Sequence, residues 1–153
     1  MVREFPDMNV QAMISQLNMR GKELGIEFTP WTLLSNSRQA LEAGEFAKDH
    51  SLHDAMHEAL FRAYLVDGLN IGQREVILNA ARSVGLNAKA LNMVLDKQVY
   101  RPRLMELSHL IRTKGITAAP TFEIDNGKRI VGVMPMETFR QALREALEEA
   151  GSR

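Results

Sequence analysis

The chain has 153 residues, and 45% of them are hydrophobic, which is enough to build the core of one globular domain over residues 1–153. Nineteen basic side chains balance nineteen acidic ones, so no net charge attracts a nucleic acid or an anionic membrane. The chain has no cysteine. These residues therefore supply no disulfide, no thiolate zinc site and no dithiol redox chemistry.

The N-terminal segment, Met1 to Asp7, lacks the apolar run of a signal peptide. No apolar stretch of the sequence reaches the length of a transmembrane helix. We therefore expect a cytoplasmic protein with no membrane partner and no nucleic-acid partner.

Apolar residues recur at helical spacing through the first three quarters of the chain. Gly25 and Gly85 are suited to ending helices, Asn87 to capping one, and Pro102 to the first turn of another. We predict six helices before any strand, at about 9–24, 35–49, 52–66, 73–84, 87–95 and 102–114.

The third predicted helix carries the clearest apolar stripe. Its members are spaced four residues apart, and Phe61 lies beside them. They are Leu52, Met56, Leu60 and Tyr64. The segment 26–34, between the first two helices, is expected to be extended, with Trp31 as a packing anchor or a groove residue.

The spacing of the apolar residues changes from helical to strand-like after Gly115. Strands are predicted over 121–125 and 129–133, because both segments alternate or are β-branched and Asn126-Gly127 between them suits a tight turn. Pro135 then begins a last helix that ends at Gly151. Its apolar stripe is formed by Phe139, Ala142, Leu143, Ala146, Leu147 and Ala150.

The most specific local sequence is Gly-Ile-Thr-Ala-Ala-Pro-Thr-Phe at 115–122, in which Pro120 directly precedes a strand. A proline in a tight turn can hold a cis bond. With the hairpin and helix that follow, this segment resembles the β-β-α half of a thioredoxin fold, in which such a proline borders the active site. The resemblance implies a cis bond at Pro120 and a substrate-binding role for Ala119, Pro120 and Thr121.

Other segments extend the resemblance to residues 22–147. The sequences at 58–64, 70–72 and 80–86 resemble the helical insertion of DsbA-like proteins, most of all the cytoplasmic FrnE-type branch. The segment 131–139 is similar to the end of the sheet in that family. The resemblance implies a mostly helical α+β fold, with a helical bundle over 7–114 and a proline loop, β-hairpin and C-terminal helix over 115–151.

The sequence departs from this family at its beginning. Family members start with a strand, a Cys-x-x-Cys motif and a second strand, and none of these is found here. We therefore expect a truncated DsbA-like or FrnE-like protein that is redox-inactive alone, has no catalytic residue and no cofactor, and acts as a binding or assembly module.

The expected sheet would be only a hairpin, which is marginally stable alone. An uncovered edge tends to pair with another strand. We expect a homodimer in which the protomers cover the sheet or the apolar surface on Phe139 and Leu143. An extended peptide is the other partner considered, pairing with the backbone of Ala119.

His53 and His57 are four residues apart, with Asp54 and Glu58 nearby, a spacing at which two imidazoles can share a metal ion. No third ligand is evident and the His-Glu-x-x-His order is absent, so we interpret the pair as a solvated helix edge and predict no metal site.

Alternative functions remain open from the sequence. The kappa-class glutathione transferases and the 2-hydroxychromene-2-carboxylate isomerases share the insertion and the proline loop, and they can use a serine near the first strand. A glutathione-dependent isomerase or transferase is therefore the alternative class. Two further readings are a turn role in folding for Pro120, and an ordinary oxidoreductase whose reading frame is truncated here.

Overall fold

The structure, a computed structural model, describes residues 10–29, 34–125 and 127–151. Within these residues it has seven helices and two strands. The helices are α1 (Val10–Lys22), α2 (Arg38–Asp49), α3 (His53–Leu65), α4 (Arg74–Ser83), α5 (Ala88–Asp96), α6 (Arg101–Thr113) and α7 (Met136–Gly151), and the strands are β1 (Thr121–Glu123) and β2 (Arg129–Val131).

The chain divides into two compact units, Met1–Leu104 and Met105–Arg153, which we call the helical unit and the hairpin unit. The boundary lies inside α6, whereas the sequence pattern changes from helices to strands at Gly115.

The core of the helical unit is formed by α2, α3, α4 and α5. The stripe predicted on α3 faces inward at Met56 and Leu60, while Leu52 and Tyr64 are half-buried and Phe61 is exposed. The side chain of Asn87 accepts a hydrogen bond from the backbone N–H of Ala90, as an N-cap does. The predicted packing anchor Trp31 lies outside the described residues.

A polar network joins the end of α2 to the start of α6. The carboxylate of Asp49 accepts hydrogen bonds from Tyr100 Oη at 2.7 Å and from Arg103 at 3.0 Å. Burial, followed by the hydrogen bond to Asp49, raises the pKa of Tyr100 to about 12. The hydrogen bond from Tyr100, followed by that from Arg103, lowers the pKa of Asp49.

Glu42 is an acidic residue inside the helical core, with only 1% of its surface exposed. Its Oε2 accepts no hydrogen bond from the described residues. Desolvation raises the pKa of this carboxyl, and the nearby charges of Arg101, Arg38 and Arg74 offset part of that rise.

The hairpin unit contains a two-stranded antiparallel sheet in which Thr121 pairs with Val131 and Glu123 with Arg129. Both strands are shorter than predicted. Ile124 and Lys128 close the turn through a backbone hydrogen bond of 2.9 Å, and Gly132, at a φ of 82°, ends β2. The sequence pattern overestimated the strands because turn residues continue the alternation of apolar and polar side chains.

The helices α6 and α7 have apolar side chains at the predicted spacing, but few of them are buried. None of the residues of α6 is buried, and Ala142 is the buried residue of α7. Leu143 is exposed, and Phe139 is half-buried against Phe122, with ring centroids 4.9 Å apart. Over the described residues, no helix has the length and apolar character needed to cross a bilayer.

Candidate functional site

The proline loop joins α6 to β1 and ends at Thr121. The peptide bond between Ala119 and Pro120 is cis. Ala119 and Pro120 are exposed, and Thr121 is half-buried. Thr121 Oγ1 donates a hydrogen bond of 2.6 Å to the carbonyl of Ala118, and Gly132 N–H donates one of 2.8 Å to the carbonyl of Pro120. These bonds hold the loop against the hairpin. Ala119 and Pro120 remain exposed to solvent.

One edge of β1, which we call the free edge, has no strand beside it among the described residues. In an antiparallel pair, alternate residues direct their backbone groups toward the partner strand. The bonds from Gly132 to Pro120 and from Ile124 to Lys128 show that the even-numbered residues of this segment face β2. The N–H and C=O groups of Thr121 and Glu123 therefore point away from β2, and they have no backbone partner within the described ranges.

A guanidinium group connects the start of the proline loop to the end of β1. Arg129 donates to Glu123 Oε2 through Nε at 3.0 Å and Nη2 at 2.9 Å, and to the carbonyl of Lys114 through Nη1 at 2.7 Å. Lys114 Nζ also lies 3.2 Å from Glu123 Oε1. The hydrogen bond from Arg129, followed by that from Lys114, lowers the pKa of Glu123. The segment that carries Pro120 is thus held at its start and at its end.

The structure brings His53 and His57 together on α3. Their ring centroids are 5.4 Å apart, and the ring of His57 lies edge-on to Phe61 at 4.6 Å. His53 Nδ1 lies 3.2 Å from Asp54 Oδ1. Among the described residues, no group of three or more potential metal ligands occurs.

The sequence analysis missed a pocket that these two histidines help to line. The pocket lies in the helical unit, with a volume of about 320 Å³ and mainly apolar walls. Its residues come largely from α2 and α3, and they are Ser37, Ala40, Leu41, Gly44, Glu45, His53, His57, Leu60, Phe61, Tyr64, Ile71 and Leu104. The available signal was Gly44, a glycine in a helix interior, one turn from Leu41 and Ala40.

The cis-proline loop, the hairpin with its following helix, and the preceding helical bundle together define a class of protein. The family model of the DSBA-like thioredoxin domain matches residues 4–144. The chain therefore belongs to the DSBA-like thioredoxin domain family. This confirms the resemblance and the mostly helical α+β fold predicted from the sequence.

Two particular proteins illustrate the relationship. The uncharacterized protein YwbO of Bacillus subtilis is 25% identical over 138 residues, which are 90% of this chain and 66% of YwbO. The crystal structure of a probable DsbA oxidoreductase from Streptomyces coelicolor superposes with a TM-score of 0.79 at 25% identity, over 91% of this chain and 61% of that one. The chain thus spans just under two thirds of the length of each relative.

These findings place the chain in the DSBA-like thioredoxin domain family. They leave the substrate-binding role of Ala119, Pro120 and Thr121 as a prediction. The expected loss of the first β-α-β unit also stays a prediction.

Proposed function

We propose that this chain is a binding module of the DsbA-like family and that the free edge of β1 pairs with an extended segment of another polypeptide. The outward-facing backbone groups of Thr121 and Glu123, directly after the exposed Ala119-Pro120 pair, carry this proposal. Backbone pairing of this kind tolerates many sequences because it uses groups that every residue has.

The same proposal includes redox inactivity of these residues alone. Thiol-disulfide exchange requires a thiolate that attacks a disulfide sulfur. The 153 residues hold no cysteine, so any exchange would need a thiol from elsewhere. The glutathione-dependent alternative is not favoured, because the family match is to the DsbA-like branch.

Thr121 offers a direct test of strand pairing. Thr121→Pro removes an N–H that faces away from β2, so the hairpin keeps its own ladder. Thr121→Val is the matched control, because it also removes the hydroxyl but keeps the N–H. We expect Thr121→Pro to weaken binding of reduced, carboxymethylated α-lactalbumin, a permanently unfolded protein, by about tenfold.

Isothermal titration calorimetry provides the measurement. Binding by the wild type and Thr121→Val, with weaker binding by Thr121→Pro, supports the proposal. Equal binding by all three chains, or no binding by the wild type, contradicts it. In the insulin reduction assay with dithiothreitol, acceleration by the chain would contradict redox inactivity.

A second copy of the chain is the other supplier of a strand. The exposed apolar residues Leu143, Leu147 and Val133 of the hairpin unit favour this candidate, because such surface is often covered in an assembly. Light scattering distinguishes it: a dimer that Thr121→Pro converts to a monomer supports pairing between copies, and a monomeric wild type contradicts it.

A further inference from the structure

The pocket of the helical unit has a closed floor and an open rim. Ala40 and Leu60 at the floor are buried, while Leu41 and Phe61 at the rim are about half-exposed, at 56% and 51%. Its volume of about 320 Å³ falls at the lower end of the range of small-molecule sites. The dimensions suit a ligand built on one or two fused rings.

Gly44 keeps one wall of this pocket open. A glycine inside a helix costs about 1 kcal/mol relative to alanine. At Gly21 of α1 this cost has a packing reason, because an added Cβ would clash with the carbonyl oxygen of Ile26. At Gly44 of α2, an added Cβ would meet no atom within 4 Å. Packing therefore does not explain this glycine, which lines the pocket.

The polar groups of the pocket indicate the chemistry of its ligand. Glu45 is the acidic residue of the lining, and its Oε2 forms an ion pair with Arg103 Nε at 2.8 Å. His53 and His57 bring two imidazoles to the same lining. Imidazole N–H groups donate hydrogen bonds to carboxylates.

We propose that this pocket binds a small aromatic carboxylate. The ring system lies between Leu41 of α2 and Phe61 of α3, over the floor at Leu60. The carboxylate accepts a hydrogen bond from His57 or His53 at the rim. All lining residues of this site belong to the helical unit and none to β1, so its test is independent of the proposed peptide binding.

The probes are 1-naphthaleneacetate and its uncharged analogue 2-(1-naphthyl)ethanol, titrated into the full chain labelled with ¹⁵N. We expect saturable shifts in the amide signals of α2 and α3, with the acid binding more tightly than the alcohol. No saturable shift with the acid would overturn the proposal, and equal affinity for the two probes would overturn its carboxylate part.

Gly44→Leu adds a large side chain at a lining position where an added Cβ meets no atom within 4 Å. We expect it to weaken binding of the acid by about tenfold or more, since added methylenes compete for the ligand's space. Gly44→Ala, a smaller change, should weaken binding less. Both variants should melt at or above the wild-type temperature, because each replaces a helical glycine. Unchanged affinity in Gly44→Leu would overturn the location.

His57→Phe keeps the aromatic ring and removes the donor. We expect the variant that removes the donor to the ligand, His57→Phe or the equivalent His53→Phe, to bind the acid and the alcohol with similar affinity, while its affinity for the alcohol stays at the wild-type value. A full preference for the acid in both His57→Phe and His53→Phe would overturn the role of the imidazoles.

Discussion

The two units of this chain differ in how they distribute their apolar side chains. The helical unit encloses them in a core of α2 to α5, whereas the hairpin unit contributes two buried apolar residues of the described set, Ile130 and Ala142. In the hairpin unit, Val133, Met136 and Leu147 are exposed instead. The comparison indicates that the helical unit supplies most of the folding free energy, and under the proposed function the hairpin unit supplies the surface for association.

The same substitution in each unit gives the largest expected contrast. Leu91 is completely buried, so Leu91→Ala should lower the free energy of unfolding by about 3 kcal/mol. Leu147 is 72% exposed, so Leu147→Ala should change that free energy by no more than about 0.5 kcal/mol. Urea denaturation followed by circular dichroism measures both values. Similar losses from the two variants would remove the distinction between the units.

A pH-dependent difference is expected from the buried carboxyl of Glu42. Its pKa is raised above the ordinary 4.5, so the folded chain binds this proton more tightly than the unfolded chain does. The contribution of this carboxyl to the free energy of unfolding is therefore fully present below about pH 4.5. It declines as the pH rises through the raised pKa. Glu42→Gln removes that decline, and it should stabilise the protein by about 1 kcal/mol at neutral pH.

Thermal melts across this pH range test the prediction for Glu42. The melting temperatures of the wild type and Glu42→Gln should converge at acid pH and separate as pH rises. A variant that is less stable than the wild type at neutral pH would show that the three arginines compensate the charge fully. The control Glu106→Gln removes an exposed carboxyl from the hairpin unit.

The smallest expected effect concerns Tyr100, which links α2 to α6 through Asp49. Its pKa of about 12 means that the folded state favours the protonated phenol. The contribution of Tyr100 to the free energy of unfolding is therefore present below about pH 10 and is lost as the pH rises toward 12. Asp49→Asn should lower the pKa of Tyr100 by removing the charged acceptor. Ultraviolet titration of tyrosinate in a Tyr64→Phe background reports Tyr100 alone, and an unchanged pKa in Asp49→Asn would contradict the assignment.

The sequence predicted those features that depend on nearby residues. Asn87 caps α5 through its own side chain, and the change of period after Gly115 marks the hairpin, because both depend on neighbours a few positions away. The stripe of α7 was located correctly as a pattern. Its spacing identifies an apolar side of the helix but contains no information about what covers that side, and Leu143 proved to be exposed.

The candidate sites were predictable to different degrees. Pro120 was found because a proline before a strand is a local signal. The pocket was missed because Leu41 and Phe61 approach each other only when α2 packs on α3. The two histidines were interpreted as a solvated edge, which describes their exposure but not the cavity beside them.

The hydrogen bonds of Arg129 to Lys114 and Glu123 decide when the backbone between these two residues loses its conformational entropy, on folding or on binding. Because they join the start of the proline loop to the end of β1, the chain loses much of the conformational freedom of the segment between them on folding, before any partner arrives. An incoming strand then meets a prearranged edge and orders little additional backbone. Since these ion pairs are exposed and salt screens them, association at this edge should weaken as ionic strength rises, even with an uncharged partner.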